Sequence, residues 1–164
     1  MKSRITGILR ATCIGLLIAL GNVLPAQAQW QTLFDGSTLE GWYQAGPGEF
    51  TLEADGSMLS RGGMGLFYYK DKSFRDFELE LEWMANKYTA NSGVFVRFPE
   101  TDDPWVAVNE GYEIQIDDSR DPDHKTGSIF AISKPFRSNP HPVGEWNDFR
   151  IRVTGQRYEV WHNG

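Results

Sequence analysis

The most constraining stretch of the chain is Phe77-Glu78-Leu79-Glu80-Leu81-Glu82-Trp83, which alternates apolar and acidic residues without a break. Side chains of an extended strand point to opposite faces by turns, so this pattern buries one face and wets the other. A helix, with its longer period, would scatter the same residues around its whole circumference. One such strand needs a partner layer for its apolar side, and the rest of the chain offers short β-rich runs rather than helices. These are Glu49 to Glu53, Met58 to Ser60, Leu66 to Tyr69, Gly93 to Phe98, Tyr112 to Asp117, Ser128 to Ile132, Trp146 to Thr154 and Arg157 to Trp161. Turn formers separate them: Ala54-Asp55-Gly56-Ser57, Gly62-Gly63, Pro99, Asp121-Pro122, Asn139-Pro140 and Gly155. About nine strands without a helix predict an all-β sandwich of two antiparallel sheets.

The first 28 residues read as an address rather than as part of that sandwich. Lys2, Arg4 and Arg10 precede an apolar run from Ala11 to Leu20, and Ala26-Gln27-Ala28 is a small-x-small cleavage site, the three-part layout of a secretory signal. The run is shorter than the roughly 20 residues a membrane span needs, so no span is expected once the signal is removed. The expected organisation is a signal peptide at 1–28 and one domain at 29–164, exported to the periplasm or the extracellular space. The signal takes with it three bases, no acid and the single cysteine, Cys13, so the remainder is more acidic than the whole chain's −6. That excludes a disulfide framework and a cysteine nucleophile, and so acidic a chain without a basic stripe is not expected to bind nucleic acid. At the other end, Asn163-Gly164 is a strong two-residue hairpin signal after a strand, so one or more returning strands are expected to be missing from this chain.

Period two also sorts candidate functional side chains by face. With Phe77, Leu79, Leu81 and Trp83 inward, Glu78, Glu80 and Glu82 share the other side. Gly93, Phe95 and Arg97 share one face of their run, and Glu113, Gln115 and Asp117 share the face opposite Tyr112, Ile114 and Ile116. If these strands are sheet neighbours, Glu80, Glu82, Arg97, Glu113 and Gln115 form one surface, with alternate residues about 6.6–7 Å apart, within reach of a sugar. Alternation alone also describes the solvated face that antiparallel sheets commonly own, and that plainer reading leads by about two to one. Few Lys, Ser or Thr on this face, and the presence of Gln115 and Arg97, shift the balance toward a site.

Asp117 to His124 is an acidic loop, whose carboxylates are hard-cation ligands in principle, although it lacks the EF-hand pattern. Trp105, after Asp103-Pro104, is a candidate platform for the apolar face of a sugar ring. No Walker loop, dinucleotide fingerprint or Gly-x-Ser-x-Gly motif occurs, so no organic cofactor is expected.

Several blocks together resemble one family. Leu33 to Trp42 (LFDGSTLEGW), Phe74 to Trp83, Asn91 to Arg97 (NSGVFVR), Gly111 to Asp117 (GYEIQID), Thr126 to Ile129, Gly144 to Asn147 and Asn163-Gly164 are similar, in order, to the 3-keto-disaccharide hydrolase domain, formerly the domain of unknown function 1080. The resemblance implies a concanavalin A-like jelly-roll sandwich and a small carbohydrate substrate, a glycoside oxidised at C3 that is cleaved by elimination and hydration. For that chemistry the face geometry offers Glu113 as base or metal ligand, Glu82 as second carboxylate, and Arg97, Gln115, Glu80, Asn91 and Trp105 as substrate-binding residues. A divalent metal, with Asp117 and His124 as further ligands, is compatible with it. A carbohydrate-binding module and an ordinary two-carboxylate glycosidase remain as alternatives.

Overall fold

The computed structural model describes residues 1–4, 10–11 and 30–164. In chain order the strands are β1 (Lys2–Arg4), β2 (Arg10–Ala11), β3 (Trp42–Ala45), β4 (Glu49–Leu52), β5 (Met58–Arg61), β6 (Leu66–Tyr69), β7 (Phe77–Met84), β8 (Ser92–Val96), β9 (Tyr112–Ile116), β10 (Asn147–Thr154) and β11 (Arg157–His162). One helix, α1 (Pro104–Glu110), and one 3-10 turn, Pro122–His124, complete the elements. Of the signal expected at 1–28, residues 5–9 and 12–28 lie outside the described residues. The backbone of β1 pairs antiparallel with both β5 and β7, and β2 pairs with β7.

The alternating run forms β7, as its period requires, and it is the hub of the larger sheet. That sheet runs β11-β10-β7-β1-β5-β4. In the β7–β10 ladder Leu79 pairs with Ile151 and Leu81 with Phe149, so both strands turn their apolar residues to the same side. There Leu81, Trp83, Phe149, Ile151 and Val153 are buried together with Val96, Ile114 and Ile116 of the separate β8–β9 pair. Two antiparallel layers facing each other across one apolar core make a β-sandwich. A third pair, β3–β6, packs with α1 around Ala45, Leu66 and Ala107.

The opposite face of β7 and β10 carries charge. Arg150 and Arg152 donate through Nε to Glu78 at 2.5 and 2.8 Å, and both guanidiniums lie over the Trp161 ring. Burial opposes ionisation of Glu78, but the two guanidiniums outweigh it and hold the carboxyl below its usual range.

Two local expectations fail. No helix is expected, yet Pro104–Glu110 is one: Asp103 accepts from the Trp105 N–H as N-cap, and Pro104 takes the first helical position. Seven residues are too short to show a helical period in sequence. Ser128 to Ile132, read as a strand, makes only isolated bridges at Ile129, because a tight turn with Ala131 at φ 57° folds Ser133 N–H back onto Ile129 O. By contrast, Ala54 to Ser57 closes the β4–β5 hairpin as expected, and Asn163 has a left-handed φ of 50°.

Ile151 is fully buried where the two layers meet. Replacing it by Ala should cost roughly 2–5 kcal/mol, seen as a lower urea midpoint at unchanged slope.

Candidate active site

Burying Ile114 and Ile116 against β7 forces their neighbours to the reverse side of the β8–β9 pair. The register sets Phe95 opposite Glu113 and Gly93 opposite Gln115, so these four share that side. They line a cavity of about 1190 Å³ that reaches around β8 to the apolar side of β7. Its aromatic wall includes Phe50, Phe67 and Trp42, stacked at centroid distances of 4.8 and 5.3 Å. Trp42 is anchored by donating its indole N–H to Leu33 O at 2.9 Å.

Glu113 is the distinctive group. Its carboxylate makes no hydrogen bond or ion pair with a described side chain, and burial alone pushes its pKa up to about 7. Gly93 makes the room for it: a Cβ there would lie 2.3 Å from Oε1 and 2.6 Å from Cγ of Glu113. A carboxyl titrating near neutrality in a cavity can accept a proton in one step and return it in the next.

Of the side chains expected in a site, Glu113, Gln115, Arg97, Asn91 and Trp105 line this cavity. Trp105 is 55% exposed on the first turn of α1, available to a ring stacked against it. Gln115 is not on a solvated face as expected. It is 1% exposed, and its Oε1 accepts from the Ile116 N–H at 2.9 Å.

Arg97 departs from the expected alternation. It has a φ of 60°, which breaks the strand after Val96 and turns the guanidinium to Arg75 O at 2.7 Å and Asp76 at 3.4 Å. The expected surface of Glu80 and Glu82 with Glu113 does not form either. β7 pairs with β10 rather than with β8, so these two acids lie on the outer side of β7 while Leu81 and Trp83 face the cavity. The core stands between them and Glu113.

Asp117 and His124, expected as metal ligands, are each tied into their own turn. Buried Asp117 accepts from Ser119 Oγ at 2.6 Å and Arg120 Nε at 3.1 Å, and His124 Nδ1 lies 2.9 Å from Asp121. Among the described residues no group of three or more His, Cys, Asp or Glu side chains is arranged to hold a metal ion. The donor set expected for a metal is therefore not brought together among the described residues. Sequence reasoning missed the glycine that seats Glu113 and the aromatic wall of β3, β4 and β6. The Leu66-Phe67-Tyr68-Tyr69 run was the available signal for that wall.

Residues 29–164 match the family described as the 3-keto-alpha-glucoside-1,2-lyase-like domain. A Bacteroides thetaiotaomicron protein named 3-keto-disaccharide hydrolase is 30% identical over 164 residues, covering 79% of this chain and 54% of its own length. The chain thus spans about half the length of that curated relative. Among solved structures, a Parabacteroides distasonis protein provisionally named a glycosyl hydrolase superposes with a TM-score of 0.68 at 23% identity, over 82% of this chain and 68% of that one. A second from the same species, similarly named, gives 0.55 at 27% identity, over 76% and 57%.

The raised pKa of Glu113 makes a stability prediction. The unfolded carboxyl ionises first as pH rises, so folding loses stability from about pH 4.5 up to about pH 7 and stays at the lower level above it. Glu113→Gln removes that cost. The variant's melting temperature should exceed the parent's at pH 8 and match it near pH 4 by scanning calorimetry.

Proposed function

The chain belongs to the 3-keto-alpha-glucoside-1,2-lyase-like domain family, and on that premise we propose that it cleaves glycosides already oxidised at C3, with Glu113 as the base. A ketone at C3 acidifies the hydrogen on C2. Glu113 takes that proton, the electron pair moves into the C2–C3 bond as an enolate, and its return expels the oxygen on C1 with formation of a C1–C2 double bond. The leaving oxygen takes up a proton, and water then adds across the double bond, with its oxygen at C1 and a hydrogen at C2. The net result is hydrolysis. In this reading Gln115 and Asn91, which line the cavity, are assigned to donate to the enolate oxygen and Trp105 to support the ring. No step is assigned to a metal.

The observation that carries this reading is the single part-buried carboxylate. Glu100 is the other acid lining the cavity and it is exposed. Elimination requires one carboxylate base, whereas an ordinary glycosidase needs two carboxyl groups roughly 5–9.5 Å apart across the bond. Export completes the proposal: the leader pattern at 1–28 and the family match from residue 29 support an exported enzyme.

Incubation with 3-keto-trehalose and with trehalose tests the reaction. Loss of the keto sugar alone is expected; loss of both would indicate ordinary hydrolysis, and binding without turnover would remove enzyme status. The base must be ionised, so kcat/KM should rise with pH and level off above about 7. Glu113→Gln should lower kcat by about 10²–10⁴-fold. Gly93→Ala, which pushes the carboxylate from its seat, should cost on the order of 10²-fold while the circular dichroism spectrum is unchanged.

A further inference from the structure

The charge around the cavity runs against the charge of the chain. The whole chain carries −6, yet among the described residues five bases line the cavity, Arg61, Lys70, Lys72, Lys87 and Arg97, against the two acids Glu100 and Glu113. Two of the bases have partners: Arg61 lies 3.9 Å from Glu53, and Arg97 lies 3.4 Å from Asp76. Among the described residues no carboxylate lies within ion-pair distance of Lys70, Lys72 or Lys87.

Lys70 and Lys72, with Asp71 between them, follow β6 and line the cavity. The Lys70 ammonium lies 5.2 Å from the centre of the Tyr43 ring and that of Lys72 lies 5.1 Å from the centre of Phe74. Lys72 also donates to Gln31 Oε1 at 3.4 Å. The backbone at Lys70 is held, since its N–H donates to Gly41 O at 2.9 Å. Cations resting on aromatic faces at the rim of an apolar-walled cavity concentrate a positive field inside it. Glu78, Glu80 and Glu82, by contrast, lie on the outer side of β7, away from the cavity.

We infer that the cavity takes a glycoside bearing an anionic substituent, a carboxylate, sulfate or phosphate on the sugar or its aglycone, with Lys70 and Lys72 receiving that group. This rests on the cavity being the glycoside site. A neutral sugar leaves both ammonium groups without a counter-charge, whereas an anionic one pairs with them at the cavity rim.

Calorimetric titration of the whole chain with trehalose, trehalose 6-phosphate and inorganic phosphate tests the inference. Trehalose 6-phosphate should bind about ten-fold more tightly than trehalose at low ionic strength, and the advantage should shrink in 0.5 M salt (roughly a 4 Å screening length). The exposed substitutions Lys70→Glu and Lys72→Glu should abolish the preference with an unchanged circular dichroism spectrum. Equal binding of the two sugars, or a preference that survives both substitutions, overturns the inference. So does inorganic phosphate binding as tightly as the phosphorylated sugar, which would locate the affinity in a bare anion site. Failure of 3-keto-trehalose turnover, with the phosphate preference and its lysine dependence intact, would instead overturn the proposed reaction and leave this inference standing.

Discussion

Burial of the inner face of β7 and β10 against β8 and β9 is the constraint on which the remaining geometry depends. Leu81, Trp83, Phe149 and Ile151 from one layer meet Val96, Ile114 and Ile116 from the other. In a strand, choosing which residue points inward also decides where each neighbour points. The same contact that buries Ile114 therefore turns Glu113 to the reverse side of its pair, and the contact that buries Leu81 turns Glu80 and Glu82 to the outer side of β7. One packing arrangement divides the acidic residues into two populations with different chemistry.

The two populations differ in how their charge is compensated. On the outer face Glu78 meets two guanidiniums, which offset the cost of burial and keep it ionised. Glu113 has no such partner among the described side chains, and the cost of burying its charge appears as a pKa near neutrality. That cost lowers stability above pH 4.5, and it is also what suits the group to remove a carbon-bound proton and give it back. Gly93 is tied to the same bargain: its missing side chain is the space the Glu113 carboxyl occupies.

Much of this was legible from residue order, and the failures share a cause. Most of the strands, the inward set of β7 and β9, and the β4–β5 hairpin follow from period two and turn chemistry, which act over a few residues. Glu80 and Glu82 were misplaced because alternation gives a face but not a neighbour. Sequence adjacency suggested β8 beside β7, whereas the ladder joins β7 to β10. Arg97 was misplaced because one left-handed residue breaks the period. The grouping of Asp117 with His124 failed because each is satisfied within its own turn. α1 was missed because two turns of helix carry too little periodic signal.

The sequence by itself determined that the chain is built of strands, which residues of β7 and β9 face the apolar core, and that Glu113 and Gln115 lie on the same side of β9. These are properties of the polypeptide's own two-residue repeat and need no knowledge of what lies across the core. Only the tertiary structure decided that Glu113 is buried without a partner among the described side chains while Glu78 has two, and that lysines line the cavity of an acidic chain. Desolvation and ion pairing depend on groups distant in sequence that pairing and layering bring together, and no local pattern encodes those distances.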